Sequence, residues 1–271
     1  MNAQTVNVAA AGRRFGIEFA WVGPAGAFGP VIVFLHEGLG SVSAWKDFPA
    51  LMCESLGRRG LVYSRPGYGR STPRASDEHW GVNYMHVQAL ELLPAVLDAL
   101  DVRTPYVLFG HSDGGSITLI HAAHFSARMA GAVVLAPHIF VEAFGLASIR
   151  EAREAYLGGT DLRPRLAKHH ADVDSAFWGW NDIWLAPAFV HWNIEALLPR
   201  IQCPVLAMQG LDDPYGTLAQ IEGIARVVPG TRLLTMAACG HSAHRDQPER
   251  VVDATREFID TITSQPQETT T

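Results

Sequence analysis

The chain has 271 residues, 48% of them hydrophobic and 18% charged, which suits one globular domain with a large core. Its net charge of −6 and the lack of any run of like charges exclude a nucleic-acid partner. Three cysteines exclude a disulfide framework, and no apolar stretch approaches a membrane span, so a cytoplasmic, membrane-free setting is expected.

The first residues, Met1 to Thr5, carry no basic segment followed by an apolar run, so no signal peptide is expected. Residues 5–10 and 14–22 read as two strands around Ala11-Gly12, a hairpin at a sheet edge. Val31 to Leu35 is a continuous apolar run, the pattern of a strand buried on both faces. It leads into His36-Glu37-Gly38-Leu39-Gly40-Ser41 and then a helix to about Leu56. Leu61 to Tyr63 is a short buried strand before the turn-rich loop Ser64 to Ser71. Residues 84–100 place Met85, Ala89, Leu92, Val96, Leu97 and Leu100 at helical spacing.

The next stretch organises the chain. Tyr106 to Phe109 is an apolar strand, and a helix over about 114–129 follows Gly110-His111-Ser112-Asp113-Gly114. A G-x-S-x-G turn between strand and helix is so sharp that side chains two positions from the serine would collide with it, which gives Gly110 and Gly114 a steric role. Such a turn lifts the Ser112 hydroxyl above the sheet edge, and the helix start offers the Asp113 N–H to an oxyanion.

Residues 132–136 form the next strand, and then the pattern changes. Residues 139–200 are helical in texture with no clear buried strand. Alternation resumes with a strand at 204–209, a helix at 217–227, a strand at 232–236 and a helix at 248–263, while 264–271 reads as a disordered tail. The expected fold class is α/β, a mostly parallel doubly wound sheet, with a core of residues 1–138 and 201–263 and a helical cap of residues 139–200. The cap follows a strand, so it should lie over the carboxyl ends of the strands, where such sheets bind ligands.

A serine hydroxyl needs a base, and the base needs an orienting carboxylate. Two later strand ends supply them. Asp212 and Asp213 follow the strand at 204–209, and His241 and His244 follow the strand at 232–236. On residues alone either member of each pair fits.

Here the chain resembles the α/β-hydrolase fold family over nearly its whole length. The shared features are Gly110-His111-Ser112-Asp113-Gly114-Gly115, the turn Gly210-Leu211-Asp212-Asp213-Pro214, and Gly240-His241 ahead of Gln247-Pro248-Glu249. The His36 loop and Pro66-Gly67-Tyr68-Gly69-Arg70-Ser71 are similar to family segments as well. The resemblance implies Ser112 as nucleophile, Asp213 as acid and His241 as general base. The unused Asp212 then caps or solvates its turn, His244 lies behind the site or at the surface, and His111 is packed beside the elbow. The family pattern after the first buried strand is H-G-x, whereas this chain reads His36-Glu37-Gly38. Gly38 N–H is the expected second oxyanion donor and Glu37 N–H the alternative. The Glu37 carboxylate either repels anionic substrates and tunes the base, or turns away to pair with an arginine such as Arg65.

Other groupings point to bland roles. His169-His170-x-Asp172-x-Asp174 reads as a solvated helix face, so no metal is expected. His121 and His124 read as core or interface histidines. No dinucleotide or phosphate-loop motif occurs, so no cofactor is expected. The tryptophan-rich run Phe177 to Leu185, with Trp192, reads as a cap core whose inner face lines an apolar pocket, with Trp180, Trp184 and Phe140 as pocket residues. The expected function is hydrolysis of a small to medium, largely apolar carboxylic ester. The alternatives are carbon–carbon hydrolysis of a ring-fission diketone acid, with Arg150, Arg153 or Arg163 holding its carboxylate, thioester or lactone hydrolysis, and cofactor-free perhydrolysis. A receptor without turnover is the reading from another class. The expected partner is a small-molecule substrate, with a homodimer left open.

Overall fold

The structure is a computed structural model that describes residues 1–264; apart from Ser264, the tail expected to be disordered lies outside the described residues. Eight strands form one sheet: β1 (Gln4–Ala10), β2 (Arg13–Val22), β3 (Ile32–Leu35), β4 (Gly60–Tyr63), β5 (Tyr106–His111), β6 (Met129–Leu135), β7 (Val205–Gly210) and β8 (Arg232–Met236). Their order across the sheet is β1-β2-β4-β3-β5-β6-β7-β8. The β1–β2 and β2–β4 pairs are antiparallel and the rest are parallel. The expected hairpin therefore caps one edge.

Every residue of β3, β4, β5 and β7 is buried, which is why their sequences are unbroken apolar runs rather than alternating ones. Successive side chains feed two cores. Val33, Leu35, Leu61 and Leu108 join one, and Ile32, Phe34, Val62 and Phe109 join the other. Cys53, Cys203 and Cys239 are buried and unpaired.

Helices cover both faces. Helix α1 (Phe48–Leu56) starts later than expected, because residues 42–47 form turns and Pro49 fits the first helical turn. The predicted helix over 84–100 is α2 (Tyr84–Val87), a π turn at Gln88–Leu92, and α3 (Leu93–Ala99). Pro94 lacks an N–H and would crowd the preceding turn, which explains the wide turn just before it. His121 donates through Nδ1 to the Ala89 carbonyl in that wide turn, at 2.8 Å, and accepts the Tyr106 hydroxyl at 2.7 Å. His121 is thus a core residue as expected, but His124 is exposed and bonds the Ile120 carbonyl of its own helix. That helix, α4 (Asp113–Phe125), ends before the expected residue 129, and a 3₁₀ turn at Ser126–Arg128 delivers the chain to β6.

Residues 139–200, between β6 and β7, hold α5 (Ala143–Leu157), α6 (Leu162–Leu166), α7 (Val173–Trp184) and two 3₁₀ turns, with a single isolated bridge between Phe140 and Asn193. Its buried Phe177, Trp180, Trp184 and Phe189 share one apolar cluster with the α4 face of the sheet. Helices α8 (Ala219–Val227), α9 (Ala243–Asp246) and α10 (Pro248–Ser264) complete the fold. No helix among the described residues is long and apolar enough to cross a membrane. At β3 the winding direction reverses, so the carboxyl ends of β3 and β5 border a crevice of the kind that binds ligands.

Candidate active site

Ser112 lies between β5 and α4 at φ 53° and ψ −117°, a left-handed backbone that a residue with a side chain adopts at a cost of about 1–3 kcal/mol. The surroundings enforce that strain. A Cβ on Gly110 would strike the Gly114 carbonyl, and one on Gly114 would strike the Leu35 carbonyl. The elbow thus packs directly on the end of β3.

Backbone bonds lash the two loops beyond β7 and β8 together. Leu211 N donates to the Met236 carbonyl at 2.8 Å, and Asp212 N to the Cys239 carbonyl at 2.9 Å. Gly210 has no room for a Cβ, because the Cys239 and Gly240 carbonyls touch it. This places Asp213 against His241, whose Nδ1 lies 2.9 Å from Oδ1 and 2.8 Å from Oδ2. Asp213 also accepts from Gln209 Nε2 at 2.7 Å and from Tyr215 N at 2.8 Å. Burial pushes the Asp213 carboxyl up, but the bond and charge of His241 and the Tyr215 N–H outweigh it and hold it below the usual carboxylate range. Asp212 is exposed and turned away.

His111 anchors the histidine loop to the elbow, its Nε2 donating to the His241 carbonyl at 2.8 Å. Burial keeps His111 neutral, well below its ordinary value. His244 is not at the surface. It is buried between Trp45 and His111, each ring 4.9 Å away, and burial lowers it to about 3.

Ser112, Asp113, Gly38, Glu37 and His241 line one cavity of about 220 Å³. Among the described residues no hydrogen bond joins Ser112 Oγ to His241, and such contacts commonly tighten when substrate binds. Gly38 is required, since a Cβ there would overlap the Trp180 indole. The Glu37 carboxylate turns back onto the Leu39 N–H instead of pairing with Arg65. Burial raises its pKa, opposed by that N–H and by the charges of Arg245, His241 and Arg65.

From the helical insertion, Trp180 and Trp184 reach the cavity and Phe140 does not. The chain turns after His138, and Gln220 holds the Phe140 main chain, its Oε1 3.4 Å from N and its Nε2 3.2 Å from the carbonyl. His138, Tyr215, Glu142 and Ile149 line the cavity as well and escaped the sequence reading. His138 lies three residues past the end of β6, so its place beyond a strand end was the available signal. Its ring lies 5.0 Å from Trp184, and burial, then His241, lower it to about 3.

The histidine–aspartate series of the insertion splits among separate partners. His170 accepts the Gly69 N–H at 2.9 Å, Asp172 caps α7 at Ser175 N, and Asp174 pairs with Arg163 at 2.8 Å. Arg153 pairs with Asp182 at 3.8 Å, and Arg150 is exposed.

A profile of the alpha/beta hydrolase family matches residues 32–254. The chain is 28% identical over 265 residues to the polyketide synthase ThaQ of Burkholderia thailandensis, spanning 87% of this chain but 12% of that protein. It is 26% identical over 259 residues to the sn-1-specific diacylglycerol lipase ABHD11 of Mus musculus, covering 85% of this chain and 81% of the relative. Among solved structures, a thermophilic esterase from Thermogutta terrifontis with malate bound superposes with a TM-score of 0.71 at 20% identity, over 96% of this chain and 99% of that one. With the profile running from β3 into α10, the chain belongs to the alpha/beta hydrolase family.

Proposed function

We propose that the protein is a serine hydrolase that cleaves a small to medium, largely apolar carboxylic ester through an acyl-enzyme on Ser112. The observation that carries this reading is the Asp213–His241 pair, at 2.8 Å, opening on the same cavity as the strained Ser112. With Nδ1 committed to Asp213, Nε2 is the nitrogen left to accept the Ser112 proton. Ser112 Oγ then attacks the ester carbonyl, and the oxyanion settles on the N–H groups of Asp113 and Gly38. His241 passes its proton to the departing alcohol. Water, deprotonated by His241, attacks the acyl-enzyme and releases the acid.

Residues 139–200 act in this reading as a cap over the site, with Trp180 and Trp184 as its inner wall. The lining acids are Glu37, Asp113 and Glu142, and no arginine or lysine is among the lining residues. That lining favours a neutral ester over a ring-fission diketone acid, whose carboxylate wants a cation. Similarity to a diacylglycerol lipase points the same way.

A panel of p-nitrophenyl esters from acetyl to decanoyl, run beside a diketone acid, an acyl thioester and a lactone, tests the reading. Turnover of the esters, graded with chain length and abolished in Ser112→Ala, is expected. Turnover of the diketone acid with inert esters would contradict it.

A further inference from the structure

Arg65 stands outside the proposed triad, yet it touches the chain behind both oxyanion donors. It follows β4 and is 1% exposed, and a guanidinium so deeply buried is costly unless its charge and donors are matched. Nη2 donates to the Glu37 carbonyl at 2.8 Å, and Nη1 lies 3.7 Å from Asp113 Oδ2. The guanidinium also sits over the Tyr68 ring, 4.8 Å from its centre.

The Glu37 carbonyl is held from two directions. The Arg65 backbone N–H donates to His36 Nε2 at 3.0 Å, which puts the imidazole proton on Nδ1. Nδ1 then donates to that same Glu37 carbonyl at 2.7 Å. A peptide unit is planar and trans, so a fixed Glu37 carbonyl aims the Gly38 N–H the opposite way. On the elbow, the Asp113 carboxylate accepts from Tyr84 OH at 2.8 Å and from Trp184 Nε1 at 3.2 Å, in addition to facing Arg65. Its own N–H is the other donor.

We infer that Arg65 is a positioning residue that sets the two oxyanion donors against each other, Gly38 through the Glu37 carbonyl and Asp113 through its carboxylate, with Trp184 tying the cap to the same carboxylate. The inference rests on the serine hydrolase reading above. It separates positioning from simple charge neutralisation: misplaced donors weaken the transition state and leave ground-state binding nearly intact.

The test uses Arg65→Lys, which keeps the charge and loses the planar fork, and Asp113→Asn, which loses the ion pair and keeps one acceptor oxygen for Trp184 Nε1, with Tyr84 OH left to accept from the amide NH2. The readouts are kcat and KM on p-nitrophenyl butyrate per fluorophosphonate-titrated site, the Ki of an alkyl boronic acid as tetrahedral mimic, and the melting temperature. Both variants should lose about 10- to 100-fold in kcat, as donor displacements well under an ångström to one ångström would cause, with KM within about threefold and boronate affinity falling in parallel. Wild-type kcat and boronate Ki per titrated site in a folded Arg65→Lys would overturn the inference, even with a lowered melting temperature. Should Arg65→Lys not fold, unchanged kcat and Ki in Asp113→Asn would overturn it. A wild-type protein that fluorophosphonate fails to label at Ser112 would overturn the serine hydrolase reading itself, a distinct result.

Discussion

At the scale of single residues, the proposed acid and base are separated from their neighbours by burial and contact. Asp213 is buried and holds His241 Nδ1, whereas Asp212 is exposed one residue away. Asp213→Asn should therefore lower kcat by about 10⁴-fold, because the amide favours the wrong imidazole tautomer. Asp212→Asn should stay within a few-fold of wild type, and steady-state kinetics on one ester compare the two. Equal losses would remove the distinction. The depressed Asp213 carboxyl adds a sign: the folded pKa lies below the unfolded one, so its contribution to stability holds above the unfolded carboxylate pKa and fades as pH falls through the folded one. What the sequence could not disclose at this scale were partners brought together in space. Glu37 had either the cavity or Arg65 before it on sequence grounds, and its carboxylate took the Leu39 N–H. Arg65 found Asp113, 48 positions away, through the fold alone.

At the scale of elements, the strands were legible because β3, β4, β5 and β7 are buried on both faces and must be apolar throughout. The elbow was legible because its glycines answer to backbone collisions that any such turn contains. The insertion was legible as helical but not in its facing. Tryptophan and phenylalanine are equally apt as cap core or pocket wall, so Trp180 and Trp184 reached the cavity while Phe140 did not. Trp180 is 7% exposed and Trp184 4%, so each has two roles, lining and core. Trp180→Ala should cost about 3–5 kcal/mol of stability and open space beside Gly38. Ester preference should move toward longer acyl chains, each methylene counting for about 1–3 kcal/mol at most in such a pocket. A chain-length profile superimposable on that of wild type, measured beside a thermal melt, would make Trp180 a core residue without a part in specificity.

At the scale of the molecule, six buried histidines set the acid limit. His36 and His111 are held well below their ordinary value by burial, and burial lowers His121 and His170 to about 4 and His138 and His244 to about 3. In the unfolded chain each takes up a proton near pH 6.5, about the reference value, while the folded protein keeps them neutral. The unfolded state therefore binds more protons, and stability is full above about pH 6.5 and falls below it, by about 2 kcal/mol at pH 5 for each histidine lowered to about 3 or 4. Losses of this sign at several sites are large beside the stability of a typical domain, about 5–15 kcal/mol. The raised Glu37 carboxyl acts in the opposite sense and is outnumbered. The melting temperature should drop steeply between pH 7 and pH 5, with proton uptake on unfolding; a flat profile would mean that these histidines are charged in the fold. The central claim, that one serine carries the chemistry, is tested most directly by treating the protein with a fluorophosphonate and mapping the adduct by peptide mass spectrometry. The account predicts one adduct, on Ser112, with loss of ester turnover in proportion to labelling and neither adduct nor turnover in Ser112→Ala. An adduct on another residue, or turnover that survives in Ser112→Ala, would contradict it.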